Sequence, residues 1–132
     1  ILERYGVNGI RVYSNGLGST NGRYEMYFPY FRKDCWSRSG MCKCKMMEEL
    51  SSPWSINILV GDGRSDFCVA RKADLTFAKS ELLDFCQVEK IPHIDHREFG
   101  DIMKWLGDQK GQEHFISRRN SLRHRLNEAP SG

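Results

Sequence analysis

Apolar positions along this chain change their period several times, and each change marks an element. Gly9 to Asn15 alternates apolar and polar residues and is rich in β-branched and aromatic side chains, which predicts a strand. Asn21-Gly22 is a two-residue hairpin signal, followed by a second strand over Arg23 to Phe28 that stops at Pro29. Residues 31 to 42 form a charged loop, and Cys44 to Leu50 has Met46, Met47 and Leu50 at helical spacing before Ser51-Ser52-Pro53 ends it. Ile56 to Val60 is a nearly unbroken apolar run, as expected of a strand buried on both faces. A helix over Asp66 to Ala73, a buried strand over Leu75 to Ala78 and a helix over Ser80 to Val88 follow. A short extended piece at Ile91 to Ile94 leads to an amphipathic helix over Phe99 to Leu106, with Phe99, Ile102, Met103 and Leu106 on one face. Strand alternating with helix through the middle of the chain predicts an α/β fold with parallel strands. Ligands of such sheets sit beyond the carboxyl ends of the strands.

Apolar residues thin out after Gly107, where Arg118, Arg119, Arg123 and Arg125 make a basic tail. The chain therefore divides into a core over residues 1–106 and a partly flexible helix or tail over 107–132. Ile1 to Gly6 reads as the last turn of a helix closed by a glycine cap, so the chain is expected to be part of a longer protein.

Composition changes little in this picture. The chain has 132 residues, 39% hydrophobic and 28% charged, as in an ordinary globular domain. No apolar run approaches the ~18 residues of a membrane span. A net charge of +3 does not argue for nucleic acid, and no aromatic platform interleaves the tail arginines. Arg118-Arg119-Asn120-Ser121 matches a basophilic kinase site, a pattern short enough to arise by chance. The five cysteines are an odd number in a chain that is neither small nor loop-rich, which predicts reduced thiols and a cytoplasmic setting. Cys35, Cys42 and Cys44 cluster without a paired Cys-x-x-Cys spacing or a neighbouring histidine, and are read as thiols that hold no structural metal.

The chemistry is concentrated in Val60-Gly61-Asp62-Gly63-Arg64-Ser65-Asp66. Asp62 lies just past a buried strand, Gly61 and Gly63 permit a sharp turn, and Asp66 falls in the first turn of the next helix. Carboxylates four residues apart can serve one hard cation such as magnesium, one directly and the other through water or as support. The same residues also suit a tight turn and a helix cap. Lys43 opens the preceding helix on the crevice side, where an ammonium group would offset charge on a phosphoryl group.

Gly61-Asp62-Gly63-Arg64-Ser65-Asp66, after an apolar strand and before Ala70 to Ala78, resembles the fourth motif of the haloacid dehalogenase superfamily. Lys43, about twenty residues upstream, matches its third-motif lysine. The chain is most similar to the branch of 2-hydroxy-3-keto-5-methylthiopentenyl-1-phosphate phosphatases and their phosphoserine-phosphatase-like relatives, over roughly residues 1–106. The resemblance implies the C-terminal part of a Rossmann-like parallel sheet with a β-hairpin, lacking the N-terminal central strands. It also implies Mg2+-dependent hydrolysis of a small phosphorylated metabolite by the intact protein. Asp62 would bind the metal with Asp66 in support, and Lys43 and Gly63 would hold the phosphate. The family's nucleophile belongs to an Asp-x-Asp motif, which occurs nowhere in this chain. A missing N-terminal half, on a separate chain or another copy, is therefore an expected partner, and sheet edges are expected to lie open without it. The alternative is a truncated, non-catalytic relative with a binding or structural role.

Overall fold

The computed structural model describes residues 2–108, 111–113 and 116–117. The basic tail with its arginines and the Ser121 motif lies outside the described residues. A 3₁₀ turn at Glu3–Tyr5 is closed by Gly6 at φ 70°, a left-handed cap that favours glycine.

The Asn21-Gly22 signal makes a hairpin of β1 (Gly16–Thr20) and β2 (Arg23–Tyr27), paired antiparallel from Gly16↔Tyr27 to Thr20↔Arg23. Asn21 and Gly22 both have positive φ, 52° and 76°, as a type I′ turn requires. The strand expected over Gly9 to Asn15 is not one: the pairing begins at Gly16 instead. The physical reason is register. A two-residue turn pairs the residues on its flanks, so β2 draws in the segment directly before Asn21 despite its two glycines. Gly16 lies under the ring of Tyr27, where a Cβ would stand 1.8 Å from a ring carbon.

The remaining elements are α1 (Lys43–Leu50), β3 (Ile58–Gly61), α2 (Phe67–Ala70), β4 (Leu75–Ala78), α3 (Ser80–Glu89), β5 (His93–Asp95) and α4 (Phe99–Gly107). The β strands among them form a parallel sheet in the order β3-β4-β5, so the α/β class and its parallel strands are as expected. On one face Leu59, Ala78, Val69, Ala70, Leu82 and Cys86 form the larger core. On the other face Leu75, Phe77 and Ile102 pack with Ile94 and Trp105. The central strand β4 is buried throughout because it has a neighbour on each side and apolar side chains against each face.

Two further expectations are corrected. The run Ile56 to Val60 is not buried on both faces: Leu59 is 8% exposed, but Ile58 and Val60 are each 40% exposed. Among the described residues β3 ends the sheet, paired with β4 on one side. The helix expected over Asp66 to Ala73 is a 3₁₀ turn at Arg64–Asp66 followed by the single turn of α2. It ends early because the chain must return to the sheet. There the Asp74 N–H donates to the Asn57 carbonyl at 2.9 Å, and the Asp74 carboxylate accepts from the Asn57 N–H at 2.8 Å. This clamp aligns the starts of β3 and β4.

Phe77 carries the smaller core. It is fully buried and meets Trp105 edge-on at 5.4 Å between ring centroids. Phe77→Ala is expected to cost about 3–5 kcal/mol of folding stability, read as a lowered urea midpoint. A change under about 1 kcal/mol would show that α4 does not pack on β4 as described.

Candidate functional site

The site is built at the carboxyl end of β3. Gly61 is the last residue of that strand, and the chain then turns through Asp62 and Gly63 into the 3₁₀ turn that ends at Asp66. Asp66 is 2% exposed, an unusual place for a carboxylate unless it is paired. Its Oδ2 accepts from the backbone N–H groups of Asp62 at 3.3 Å and Gly63 at 3.4 Å, drawing the loop around its own carboxylate. Its Oδ1 accepts from Lys43 Nζ in a partly buried ion pair. The approach demands a glycine at position 61, where a Cβ would lie 2.5 Å from Asp66 Oδ2 and 2.9 Å from Leu82 Cδ2.

Lys43 reaches Asp66 from the first residue of α1. The helix is capped by Cys42, whose Sγ accepts from the Lys45 N–H at 3.4 Å and whose own N–H donates to the Tyr30 carbonyl at 2.9 Å. Arg32 Nη1 binds Glu48 on α1 at 2.9 Å, and Lys72 beyond α2 pairs with the same carboxylate. These exposed pairs add little stability each, but they hold the 31–42 loop against the helix that presents Lys43.

Sequence reasoning named Lys43, Asp62, Gly63 and Asp66. The structure joins Lys43 directly to Asp66, and Asp66 to the backbone of both other residues. Asp62 differs from Asp66 in environment: its side chain is exposed at the strand end, while its carbonyl accepts from the Leu82 N–H at 3.2 Å. The donor chemistry therefore divides. Both oxygens of Asp66 are engaged within the protein, so it suits support of a cation site, whereas the exposed Asp62 carboxylate suits direct contact with a hard cation. Among the described residues no group of three or more His, Cys, Asp or Glu side chains is arranged to hold a metal ion.

Two features went unread in the sequence. His96, just past β5, is buried with Nδ1 lacking a hydrogen-bond partner, beside Phe77 at 6.4 Å between centroids. Its N–H donates to the Ala78 carbonyl, which places it at the same end of the sheet as Asp62. Cys68 on α2 meets Cys35, 33 positions away, with 3.7 Å between the sulfurs. The available signal was indirect: Cys68 stands two residues after Asp66, and Cys42 and Cys44 flank Lys43. Any pairing of Lys43 with Asp66 therefore brings these cysteines near one another.

The three-stranded parallel sheet with its antiparallel hairpin is consistent with a partial Rossmann-like fold of the haloacid dehalogenase type. Comparison with known proteins agrees. The 2-hydroxy-3-keto-5-methylthiopentenyl-1-phosphate phosphatase of Exiguobacterium sp. is 32% identical over 72 residues, 54% of this chain and 33% of that protein. The phosphatase of the same name from Bacillus cytotoxicus is 31% identical over 97 residues, 73% of this chain and 44% of its own length. That of Brevibacillus brevis is 26% identical over 107 residues, covering 80% and 48% respectively. The chain is thus a homologue of phosphatases of this type, and it spans less than half the length of these relatives. No protein-family model matches it.

Gly61→Ala tests the close approach of Asp66. The added methyl must displace a buried carboxylate that is held by an ammonium and by backbone amides, or push against Leu82. A loss of about 1–3 kcal/mol in folding stability is expected from denaturant unfolding. An unchanged midpoint would mean that Asp66 does not lie against Gly61.

Proposed function

We propose that the protein containing these residues is a magnesium-dependent phosphomonoester hydrolase acting on a small phosphorylated metabolite. The observation that carries the reading is the buried Asp66 carboxylate, which ties Lys43 to the amides of Asp62 and Gly63 at the carboxyl edge of the sheet. The names of the relatives make 2-hydroxy-3-keto-5-methylthiopentenyl-1-phosphate the first substrate to assay. Reduced thiols suit a cytoplasmic setting, and all five cysteines are free.

In this reading Lys43 keeps its ammonium at the crevice and attracts the phosphate, while Asp66 fixes where that charge stands. Asp62 presents its carboxylate to the metal, and the Gly63 backbone leaves room for a phosphoryl oxygen. Bound magnesium would neutralise charge on the phosphate oxygens. The nucleophilic aspartate comes from outside these 132 residues, since they contain no Asp-x-Asp. It would be supplied by an N-terminal segment, a separate chain or another copy. That same absence favours the second reading, a non-catalytic relative with a binding or structural role.

Two measurements separate these. In a protein that also carries the nucleophile segment, Asp62→Asn should reduce magnesium-dependent turnover by well over tenfold; survival within about tenfold would remove Asp62 from the metal site. The 132-residue chain alone should not turn over an aryl phosphate, because losing a nucleophile that acts as part of a unit typically removes on the order of 10⁶ in rate. Robust turnover by the chain, abolished in Asp62→Asn, would mean that a residue present here serves as nucleophile.

A further inference from the structure

The thiols behind the Lys43–Asp66 pair have no part in that chemistry. Cys35 in the 31–42 loop, Cys42 and Cys44 at the start of α1, and Cys68 on α2 line one cleft of about 310 Å³, together with Trp36 and Arg71. The sulfurs of Cys35 and Cys68 stand 3.7 Å apart, Cys35 also contacting Cys42 and Cys68 also contacting Cys44. Closing that gap to a bond of about 2 Å needs movement of less than 2 Å in total, within reach of small side-chain rotations. The remaining thiols are differently placed. Cys42 is fully buried and occupied in capping α1, and Cys86 is fully buried on α3 and does not line the cleft.

We propose that Cys35 and Cys68 form a reversible dithiol–disulfide pair, oxidised by low-molecular-weight disulfides of the glutathione class. Both residues line the cleft, where Cys68 is partly exposed and Cys35 is 6% exposed. Its lining also carries Arg32, Arg71 and Lys72 with Asp34, the cations being paired with Asp34, Glu89 and Glu48. The Cys35 thiolate attacks one sulfur of the small disulfide. A protein–glutathione mixed disulfide forms and one glutathione thiolate leaves. The Cys68 thiol then loses its proton and attacks the Cys35 sulfur, forming the intramolecular bond and expelling the second glutathione. The protein loses two electrons and two protons, and the small disulfide gains them as two thiols.

The division of roles follows from local hydrogen bonding. Burial pushes the Cys35 thiol up, but hydrogen bonds with Ser37, Cys42 and Cys68 outweigh this and bring it down to about 7. Burial pushes Cys44 up to about 12, which leaves it a poor nucleophile at neutral pH. The bond would join the loop before α1 to the helix after Asp66. It would therefore brace, from behind, the two elements that bring Lys43 and Asp66 together.

The test treats the reduced chain with oxidised glutathione and reads intact mass and peptide maps. The expected product is about 2 Da lighter and contains a Cys35–Cys68 linked peptide, reversed by dithiothreitol. Cys68→Ser should instead trap Cys35 as a stable glutathione adduct, while Cys86→Ser should behave as the parent. A peptide map linking other cysteines, or only glutathione adducts in the unsubstituted chain, would overturn the proposal. Because the parent chain alone gives a decisive map, poor folding of a variant does not spoil the test. Neither result depends on phosphatase activity.

Discussion

One buried carboxylate organises the loop at the carboxyl end of β3. Asp66 ends the 3₁₀ turn after β3, accepts from the amides of the loop that precedes it and anchors the lysine that opens α1. A carboxylate removed from water is costly unless charge and hydrogen bonds replace hydration. Here an ammonium and backbone amides do so, and neither kind of partner would suffice for both oxygens. The shape of the loop and the position of the lysine are therefore one requirement rather than two. Removing either partner leaves one oxygen of the buried carboxylate without its counterpart.

The sheet explains why this occurs at one end only. In parallel strands joined through helices, each loop after a strand leaves from the same edge, so Gly61, Ala78 and Asp95 bring the following Asp62, Lys79 and His96 to that edge. The helices take their places by the alternation within β4. Ala78 belongs to the core that includes Leu82 and Val69, while Leu75 and Phe77 face the core that includes Ile102. The thiol cluster lies behind this edge because Cys42 and Cys68 flank the elements that meet there.

Much of this was legible in residue order, for reasons that can be named. Alternation and apolar runs located β4 and α3 closely, because packing on both sides of the sheet imposes those patterns. Asn21-Gly22 located the hairpin, but the preceding β1 was hidden by its glycines, since alternation at residues 9–15 looked stronger than Gly16 to Thr20. Continuous hydrophobicity in β3 overstated its burial, because a sequence does not reveal which strand ends a sheet. Lys43, Asp62 and Asp66 were singled out by spacing and motif, and the structure places Lys43 and the Asp62 amide against the Asp66 carboxylate. The meeting of Cys35 with Cys68 was not, since it depends on a contact between segments 33 positions apart.

The Asn57–Asp74 clamp has a consequence for inheritance of the site. Side chains alternate along β3, so a slip of one residue against β4 would exchange its two faces. Val60 would move to the face that now accommodates Gly61, and a branched side chain would occupy the space taken by the Asp66 carboxylate. A single insertion or deletion between Asn57 and Gly61 would then do more than shorten a strand: it would erase the cavity for Asp66 while leaving every residue of the Gly61–Asp66 motif intact. The spacing from Asn57 to Gly61 is therefore as much a requirement of this loop as the motif itself.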